Sequence, residues 1–206
     1  MTVIPAKNTF GQLRKEKMMP NWCCSTFCIH DKDAVKIGQY AARILKVSKN
    51  ETDEWFTFRL YREFKSELTE DQILNNTEWI RGYNIDCDET PDYNFKIQEW
   101  CYTFVCDIAW SPGLEMMQEL FPDVQVDVIA EEGGCEIYLN TNPDIFPDRW
   151  YVYIEDDDDY YFQSDEELIK FFKEKYNMDL TDEYDLTNEY DICIDDCIQI
   201  HRFLEN

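Results

Sequence analysis

The chain has 206 residues and a formal net charge of −25, with 19 Lys and Arg against 44 Asp and Glu. Hydrophobic residues make up 44% and aromatic residues 16%, enough to build a core, which argues against intrinsic disorder. This excess of carboxylates disfavours direct binding to nucleic acid or anionic lipid, because phosphate attracts Lys and Arg, and no apolar run is long enough to predict a membrane span.

The charge is unevenly distributed along the chain. Residues 1–49 contain nine Lys and Arg and three Asp and Glu, whereas residues 151–206 contain four basic and 18 acidic residues. Residues 1–18 are polar, basic and without a hydrophobic pattern, so we predict a flexible basic arm. The acidic excess has two interpretations: a surface charged only for solubility, or a face that docks a basic partner.

The first pattern after the arm predicts a strand followed by a helix. The apolar stretch Trp22–Ile29 is typical of a buried strand. Asp31 or Asp33 can then cap a helix that runs to about Leu45.

Three further elements are expected before the middle of the chain. Hydrophobic alternation over Trp55–Tyr61 predicts a half-buried strand. Thr69–Gln72 matches a capping box and predicts a short helix ending near Gly82. Residues 83–96 are rich in acids and turn formers, so we expect an acidic loop.

The next segment predicts a strand and then a helix. Residues Trp100–Ala109 alternate between buried and polar types, as a strand with one covered face does. Ser111 followed by Pro112 favours a helix start, and Pro122 ends that helix.

The pattern then predicts a hairpin, a strand and a helix. Val124–Val128 alternates with polar residues, and Glu131–Gly134 predicts a turn into a second strand at Cys135–Leu139. Trp150–Glu155 predicts another strand, and Ser164–Glu167 is a second capping box that opens a helix.

This order of elements predicts an α+β protein, a ferredoxin-like antiparallel sheet with helices packed on one face. We therefore divide the chain into the arm at 1–18, a ferredoxin-like domain at 19–140, and an acidic C-terminal extension at 141–206 packed on the same domain.

Two blocks of sequence carry a resemblance to a known family. Met19–Cys23, with the sequence MPNWC, and Ala109–Pro112, followed by Leu120–Asp123 and Glu131–Gly134, occur in the chain in that order. They resemble the two blocks of a family of phage- and plasmid-borne proteins with a YubB-type ferredoxin-like domain. The resemblance implies a ferredoxin-like fold over residues 19–140 and an accessory role in a mobile element, without a settled activity.

The chain departs from this family at two positions. Ser25 stands where the family usually has Asn, and Gly113 stands where a second proline often follows Pro112. The resemblance therefore supports the fold more than any local chemistry.

The motifs of common enzymes are absent from the sequence. His30 and His201 are the only histidines, and the sequence contains no nucleophile elbow, P-loop or dinucleotide-binding glycine motif. We therefore predict a protein that is not an enzyme and has no cofactor.

Nine cysteines and the lack of an apolar N-terminal leader predict a reducing compartment, the cytoplasm of a bacterial host cell. Cys193–Leu204 is compatible with either a helix or a strand. In a helix, Cys193, Cys197 and His201 would share one face and could bind a metal, although a core-facing stripe is favoured.

The acidic C-terminal residues give the best candidate for a binding site. Carboxylates interleaved with tyrosines can imitate the charge spacing of a nucleic-acid backbone and fill the basic groove of a host nuclease complex or another nucleic-acid-binding protein. This predicts an anti-defence inhibitor, anti-CRISPR or anti-restriction, acting by protein–protein interaction. The predicted partner-binding residues are Glu155, Asp156, Asp157, Asp158, Asp159, Tyr160, Tyr161, Asp182, Glu183 and Asp185.

Two other functions stay open. One is a metal- or ligand-binding protein that uses Cys193, Cys197 and His201. The other is a structural protein that assembles by pairing exposed sheet edges.

Overall fold

The computed structural model describes residues 21–50, 52–77, 81–155, 157, 159–184, 186, 191–195 and 197–205. The predicted basic arm at residues 1–18 lies outside this part of the chain. The described residues form a mixed α+β protein with two mostly antiparallel sheets. None of their helices is long and apolar enough to cross a membrane.

The first sheet contains seven strands from the described residues. These are β1 (Trp22–Asp31), β2 (Gly82–Cys87), β3 (Asp92–Asn94), β4 (Glu99–Ala109), β5 (Gln125–Glu132), β6 (Ile137–Asn140) and β11 (Leu204–Glu205). Their order is β11-β6-β5-β1-β4-β2, and β3 also pairs with β4. Neighbours are antiparallel except for β11 and β6, which run parallel.

Helices cover one face of this sheet. They are α1 (Ala34–Ser48), α2 (Phe56–Phe64), α3 (Glu70–Thr77) and α4 (Leu114–Leu120). Asp33 caps α1 as predicted, since its Oδ1 accepts a hydrogen bond from the Val35 amide at 2.9 Å. The predicted strands at Trp22–Ile29 and Trp100–Ala109 are confirmed as β1 and β4.

The core of the first sheet follows from the alternation of its central strands. Phe27 of β1 and Phe104 of β4 are opposite each other in the register, and their rings stack 5.3 Å apart under the helices. Each buried phenylalanine contributes about 1.5–3 kcal/mol relative to an exposed one. On the other face of β1 and β4 the described residues place no helix, and this face carries polar and sulfur-containing side chains, His30 among them.

The predicted strand at Trp55–Tyr61 is wrong, because this segment is the helix α2. Phe56 and Leu60 lie one helical turn apart, and so do Thr57 and Tyr61, and all four are buried. Its apolar and polar residues alternate over Phe56–Leu60, so this short segment fits the period of a strand as well as that of an amphipathic helix.

The predicted acidic loop at residues 83–96 is also wrong. It contains β2 and β3, which both pair with β4. The capping box before it is confirmed, since the Thr69 amide donates to Gln72 Oε1 at 2.8 Å and the Gln72 amide donates to Thr69 Oγ1 at 3.3 Å. Its helix ends at Thr77, before Gly82, which begins β2.

The N-cap of α4 lies two residues later than predicted, at Gly113 instead of Ser111. Gly113 is its N-cap with φ of +74°, and Ser111 Oγ accepts a hydrogen bond from the Gly113 amide. A proline could not take this conformation, because its ring fixes φ near −65°. The departure from the family pattern at this position therefore sets how the helix starts.

The C-terminal residues form a second sheet. Its strands are β7 (Trp150–Ile154), β8 (Tyr160–Phe162), β9 (Asp191–Asp195) and β10 (Ile198–Arg202), in the order β8-β7-β10-β9. The helices α5 (Asp165–Tyr176) and α6 (Leu180–Glu183) accompany it. Trp150, Leu168 and Phe172 are fully buried in a core of its own.

The structure gives the outcome of one prediction and of one open alternative in this region. Ser164 Oγ accepts a hydrogen bond from the Glu167 amide, as the capping box predicts. The segment Cys193–Leu204 is strand rather than helix, and it supplies parts of β9, β10 and β11. The domain division at residue 140 stays a prediction.

The two sheets meet through aromatic side chains. Tyr138 of β6 stacks on His201 of β10, with ring centroids 4.0 Å apart, and lies 5.8 Å from Tyr151 of β7. The Phe203 amide donates to the Arg149 carbonyl at 3.0 Å and leads the chain from the second sheet into β11. The second sheet therefore lies against the β5–β6 part of the face without helices.

Candidate functional site: an acidic seam between two sheets

Acidic and tyrosine side chains line the junction between the sheets. Tyr161 Oη of β8 donates a hydrogen bond to Glu131 Oε1 of β5 at 2.6 Å. Beside this pair, Tyr151 Oη donates to Asp159 Oδ1 at 3.1 Å, and the rings of Tyr151 and Tyr161 lie 5.4 Å apart. Together with Asp148, which lies near Glu131, these five residues form what we call the acidic seam.

Strand register explains how Glu131 reaches the seam. Alternate residues of β5 point to opposite faces, so Val128 and Ala130 are buried under the helices while Ile129 and Glu131 point to the other face. Tyr161 reaches the same place from the second sheet, where it pairs with Tyr151 on the face that meets Tyr138 of the first sheet.

The carboxylates of the seam are not neutralised from within the described chain. Burial raises the pKa of Glu131, and the negative charges of Asp159 and Asp148 raise it further, against the opposing hydrogen bond from Tyr161. Burial also raises the pKa of Asp148. No Lys, Arg or His of the described residues forms an ion pair with Glu131 or Asp148.

A cavity of about 220 Å³ opens at the seam. Its lining includes the polar side chains of Glu131, Asp148 and Tyr161 and the apolar side chains of Ile129 and Phe203. The described residues contain no group of three or more His, Cys, Asp and Glu able to hold a metal ion. The arrangement can therefore attract an organic cation, with an apolar wall beside the charge.

The predicted binding residues are only partly brought together here. Asp159 and Tyr161 belong to the seam, and Glu155 lies at the end of β7, where its amide donates to the Cys197 carbonyl. Asp156, Asp158 and Asp185 lie outside the described residues. Asp182 and Glu183 end α6, and their side chains are outside the described part as well.

Asp157 and Tyr160 are engaged away from the seam. Asp157 forms an ion pair with Lys175 and accepts a hydrogen bond from Tyr160 Oη at 3.1 Å. The hydrogen bond with Asp157 raises the pKa of Lys175. Tyr160 packs on Phe171 of α5, 4.8 Å between centroids, so this part of the loop supports the second core.

Sequence reasoning missed Glu131 and Asp148 as site residues. Glu131 lies in the predicted turn Glu131–Gly134, and Asp148 lies in a segment without a periodic pattern. A signal existed in the alternation of β5, which places Glu131 opposite the buried valines, but the second sheet that covers it cannot be inferred from local pattern.

A second polar cluster lies on the same face of the first sheet. His30 of β1 is buried between two carboxylates: its Nδ1 is 2.7 Å from Glu99 Oε2 and its Nε2 is 2.8 Å from Asp127 Oδ2. Thr141 Oγ1 and Asn142 Nδ2 each donate to Asp127 at 2.8 Å. We call His30, Glu99 and Asp127 the histidine clamp.

The geometry of the clamp favours the imidazolium form of His30. Burial alone would lower the pKa of His30, but its hydrogen bonds to Asp127 and Glu99 outweigh burial and raise it. Burial would raise the pKa of Asp127, and the bonds from His30, Asn142 and Thr141 hold it below its ordinary value. Both ring nitrogens are engaged, so the clamp is suited to joining three strands rather than to transferring a proton to a ligand.

The alternative metal site is not assembled. Cys193 lies on β9, Cys197 in the turn, and His201 on β10, so the predicted helical face does not exist. His201 Nδ1 is 2.8 Å from Asp191 Oδ1, and its ring stacks on Tyr138.

Asn21, Trp22, Ala109 and Trp110 of the two blocks meet at one end of the first sheet, whereas Asp123 lies at the other end, where its carbonyl accepts a hydrogen bond from Lys36 Nζ beside Asp31. The Trp110 amide donates to the Asn21 carbonyl at 3.0 Å, and Trp22 pairs with Ala109 in the register. A β-carbon at Gly134 would lie 2.5 Å from the side-chain nitrogen of Asn21, so a larger residue there would push that side chain aside. Gly134 therefore lies beside Asn21 at this end of the sheet.

No protein-family model matches the chain, and neither the curated proteins nor the solved structures contain a significant match.

Proposed function

We propose that this protein is an accessory factor of a phage or plasmid that acts by protein–protein interaction and docks a basic partner on the acidic seam. The observation that carries the proposal is geometric: the carboxylates of Glu131, Asp148 and Asp159 lie together in the seam, and Glu131 and Asp148 have no ion-pair partner in the described chain. A folded protein loses stability when like charges lie close together. A cation supplied by a partner would therefore reduce the repulsion between the seam carboxylates.

The most concrete form of this function is an anti-defence inhibitor, anti-CRISPR or anti-restriction, in the cytoplasm of a bacterial host. The net charge of −25 supports it, because such a charge steers the protein toward the Arg- and Lys-lined groove of a nuclease complex. Seam tyrosines beside carboxylates would add contact area at low entropic cost.

We also propose that the first sheet is ferredoxin-like. The order β5-β1-β4-β2 with antiparallel neighbours, and helices after β1 and β4, supports this assignment. The helices α2 and α3 and the strand β3 are then additions to that pattern. This fold is the one that the resemblance to the YubB-type family implies.

Competition with DNA tests the function. A candidate Cas effector complex or restriction enzyme is incubated with labelled target DNA and increasing amounts of this protein, at two salt concentrations. We expect displacement of DNA, and weakening by about tenfold or more at the higher salt, because exposed charges are screened. Absence of competition across the candidates, or binding that is indifferent to salt, would contradict the proposal.

Two variants with equal charge change locate the contact. The seam variant combines Glu131→Gln, Asp148→Asn and Asp159→Asn. The control combines Glu67→Gln, Asp71→Asn and Glu115→Gln, three exposed acids on the helical side of the first sheet. The seam variant should lose about tenfold in apparent affinity and the control less than about twofold, since electrostatic effects fall off with distance.

A further inference from the structure

The most specific feature of the seam is its cavity. It lies where β1 and β5 of the first sheet face the second sheet, and Cys24, Ile129, Phe203, Glu131, Asp148 and Tyr161 line it. Its volume of about 220 Å³ is many times the roughly 10–15 Å³ that one water molecule needs as probe-occupied space, so a whole side chain fits.

The side chains that line the cavity are of two chemical kinds. Ile129 and Phe203 offer apolar surface, whereas Glu131 and Asp148 offer carboxylates. Tyr161 occupies only Oε1 of Glu131, and no hydrogen bond within the described chain engages the other carboxylate oxygen. A side chain that matches both kinds of lining residue needs an apolar stem and a cationic head, as arginine and lysine have.

We propose that this cavity is the anchor pocket for one arginine side chain of the basic partner. Arginine fits better than lysine, because its planar guanidinium can bind two carboxylates at once and can stack on the ring of Tyr161. The inference rests on the proposed function, in that the arginine is supplied by a docked protein. It adds the position of the contact and the chemistry of the residue recognised.

Charge complementarity selects this occupant over others. A metal ion is disfavoured, since the described residues offer no cluster of three suitable ligands. A phosphate or another anion would meet two carboxylates, and an apolar ligand would leave them buried without a partner.

The pocket can be tested without knowing the partner. The probe is N-acetyl-arginine amide, titrated into the isotopically labelled full chain and followed by the backbone amide signals of Cys24, Ile129, Tyr161 and Phe203. The matched ligand is N-acetyl-citrulline amide, which has nearly the same shape and no charge. We expect millimolar, saturable shifts at these residues with arginine, and at least tenfold weaker binding of citrulline.

The matched protein variants are Glu131→Gln with Asp148→Asn, and Glu67→Gln with Asp71→Asn. The first pair should weaken arginine binding at least tenfold and the second less than twofold. Both pairs keep the shape of the side chains, and the amide spectrum reports whether each variant is folded. Should the seam pair destabilise the fold, the same titration of the native chain at high salt replaces it, with weakening expected.

The outcomes separate this inference from the proposed function. Equal binding of citrulline and arginine, or shifts centred away from the cavity, overturns the arginine pocket, while salt-dependent competition with DNA can still hold. Arginine binding at the cavity without competition for any nuclease supports the pocket and contradicts the anti-defence role.

Discussion

Two pairs of carboxylates on the same side of the first sheet differ in one respect. Glu99 and Asp127 enclose His30, whose imidazolium charge offsets one of their two negative charges through two short contacts, and the pKa of Asp127 is low. Glu131 and Asp148 have no such cation in the described chain, and the pKa of each is raised. The comparison indicates that the first pair stabilises the fold, whereas the second is a place where an outside cation can bind.

The largest effect is expected from His30→Leu. This change leaves two largely buried carboxylates side by side and should cost about 3 kcal/mol of unfolding free energy, because breaking a buried ion cluster exposes its desolvation penalty. Urea unfolding at pH 6, followed by tryptophan fluorescence, measures the loss. Adding Glu99→Gln and Asp127→Asn to the same chain should recover most of it. A loss below about 1 kcal/mol would mean that the clamp is not a stabilising ion cluster.

Substituting two acids of β5, Asp127 and Glu131, should give effects of opposite sign. Asp127→Asn removes a charged partner of His30 and should cost about 1.5–3 kcal/mol. Glu131→Gln keeps the shape of the side chain and removes a charge whose raised pKa marks it as unfavourable, so the unfolding free energy should stay level or rise. The same urea experiment at pH 7 compares them, and a destabilised Glu131→Gln variant would contradict the role of the seam.

The dependence of the unfolding free energy on pH should reflect both the histidine clamp and the acidic seam. The folded pKa of His30 is raised, so its contribution is complete below about pH 6.5 and is lost as the pH rises through the folded pKa. The raised pKa values of Glu131 and Asp148 mean that their unfavourable charge is relieved as the pH falls through those values. The pKa of Asp127 is lowered instead, so its contribution to the unfolding free energy is lost only when the pH falls through that low value.

The unfolding free energy should therefore increase from pH 8.5 to pH 5. His30→Leu should remove the part of this increase near and above neutrality. Glu131→Gln with Asp148→Asn should remove the part at lower pH. Identical pH profiles for the native chain and both variants would show that these groups do not titrate with folding.

The smallest effect is expected from Tyr161→Phe. This change removes one hydrogen bond at a side chain that is 44% exposed, so it should cost about 0.5 kcal/mol or less. Because that bond opposes the rise in the pKa of Glu131, its loss should raise that pKa further. Carboxyl carbon chemical shifts of Glu131 across a pH titration measure the change, and an unchanged or lower pKa would refute the assignment of the bond.

The elements that sequence predicted well depend on local chemistry. Asp33, Thr69 and Ser164 cap helices as predicted, because capping joins residues that are only two or three positions apart. The strand Glu99–Ala109 was recognisable because only one of its faces is covered by helices. The helix at Phe56–Phe64 was missed because its first five residues alternate between apolar and polar types, which also fits a strand.

The two polar clusters were beyond local prediction. His30 meets partners 69 and 97 residues away, and Glu131 meets Tyr161 across 30 residues and two sheets. Of the acids and tyrosines near residue 160 that the sequence suggested, Asp159 and Tyr161 lie in the seam. Which of those acids are neutralised, as Lys175 neutralises Asp157, depends on the fold.

The central claim is that one carboxylate pair has its cation and the other does not. Site-specific titration of Asp127 and Glu131 by carbon-13 NMR tests it most directly, since both lie on β5 and share one sample. We expect Asp127 to titrate below its ordinary range and Glu131 above it, with the value of Glu131 falling when N-acetyl-arginine amide is added. Ordinary values for both residues, or a Glu131 that does not respond to arginine, would contradict the account.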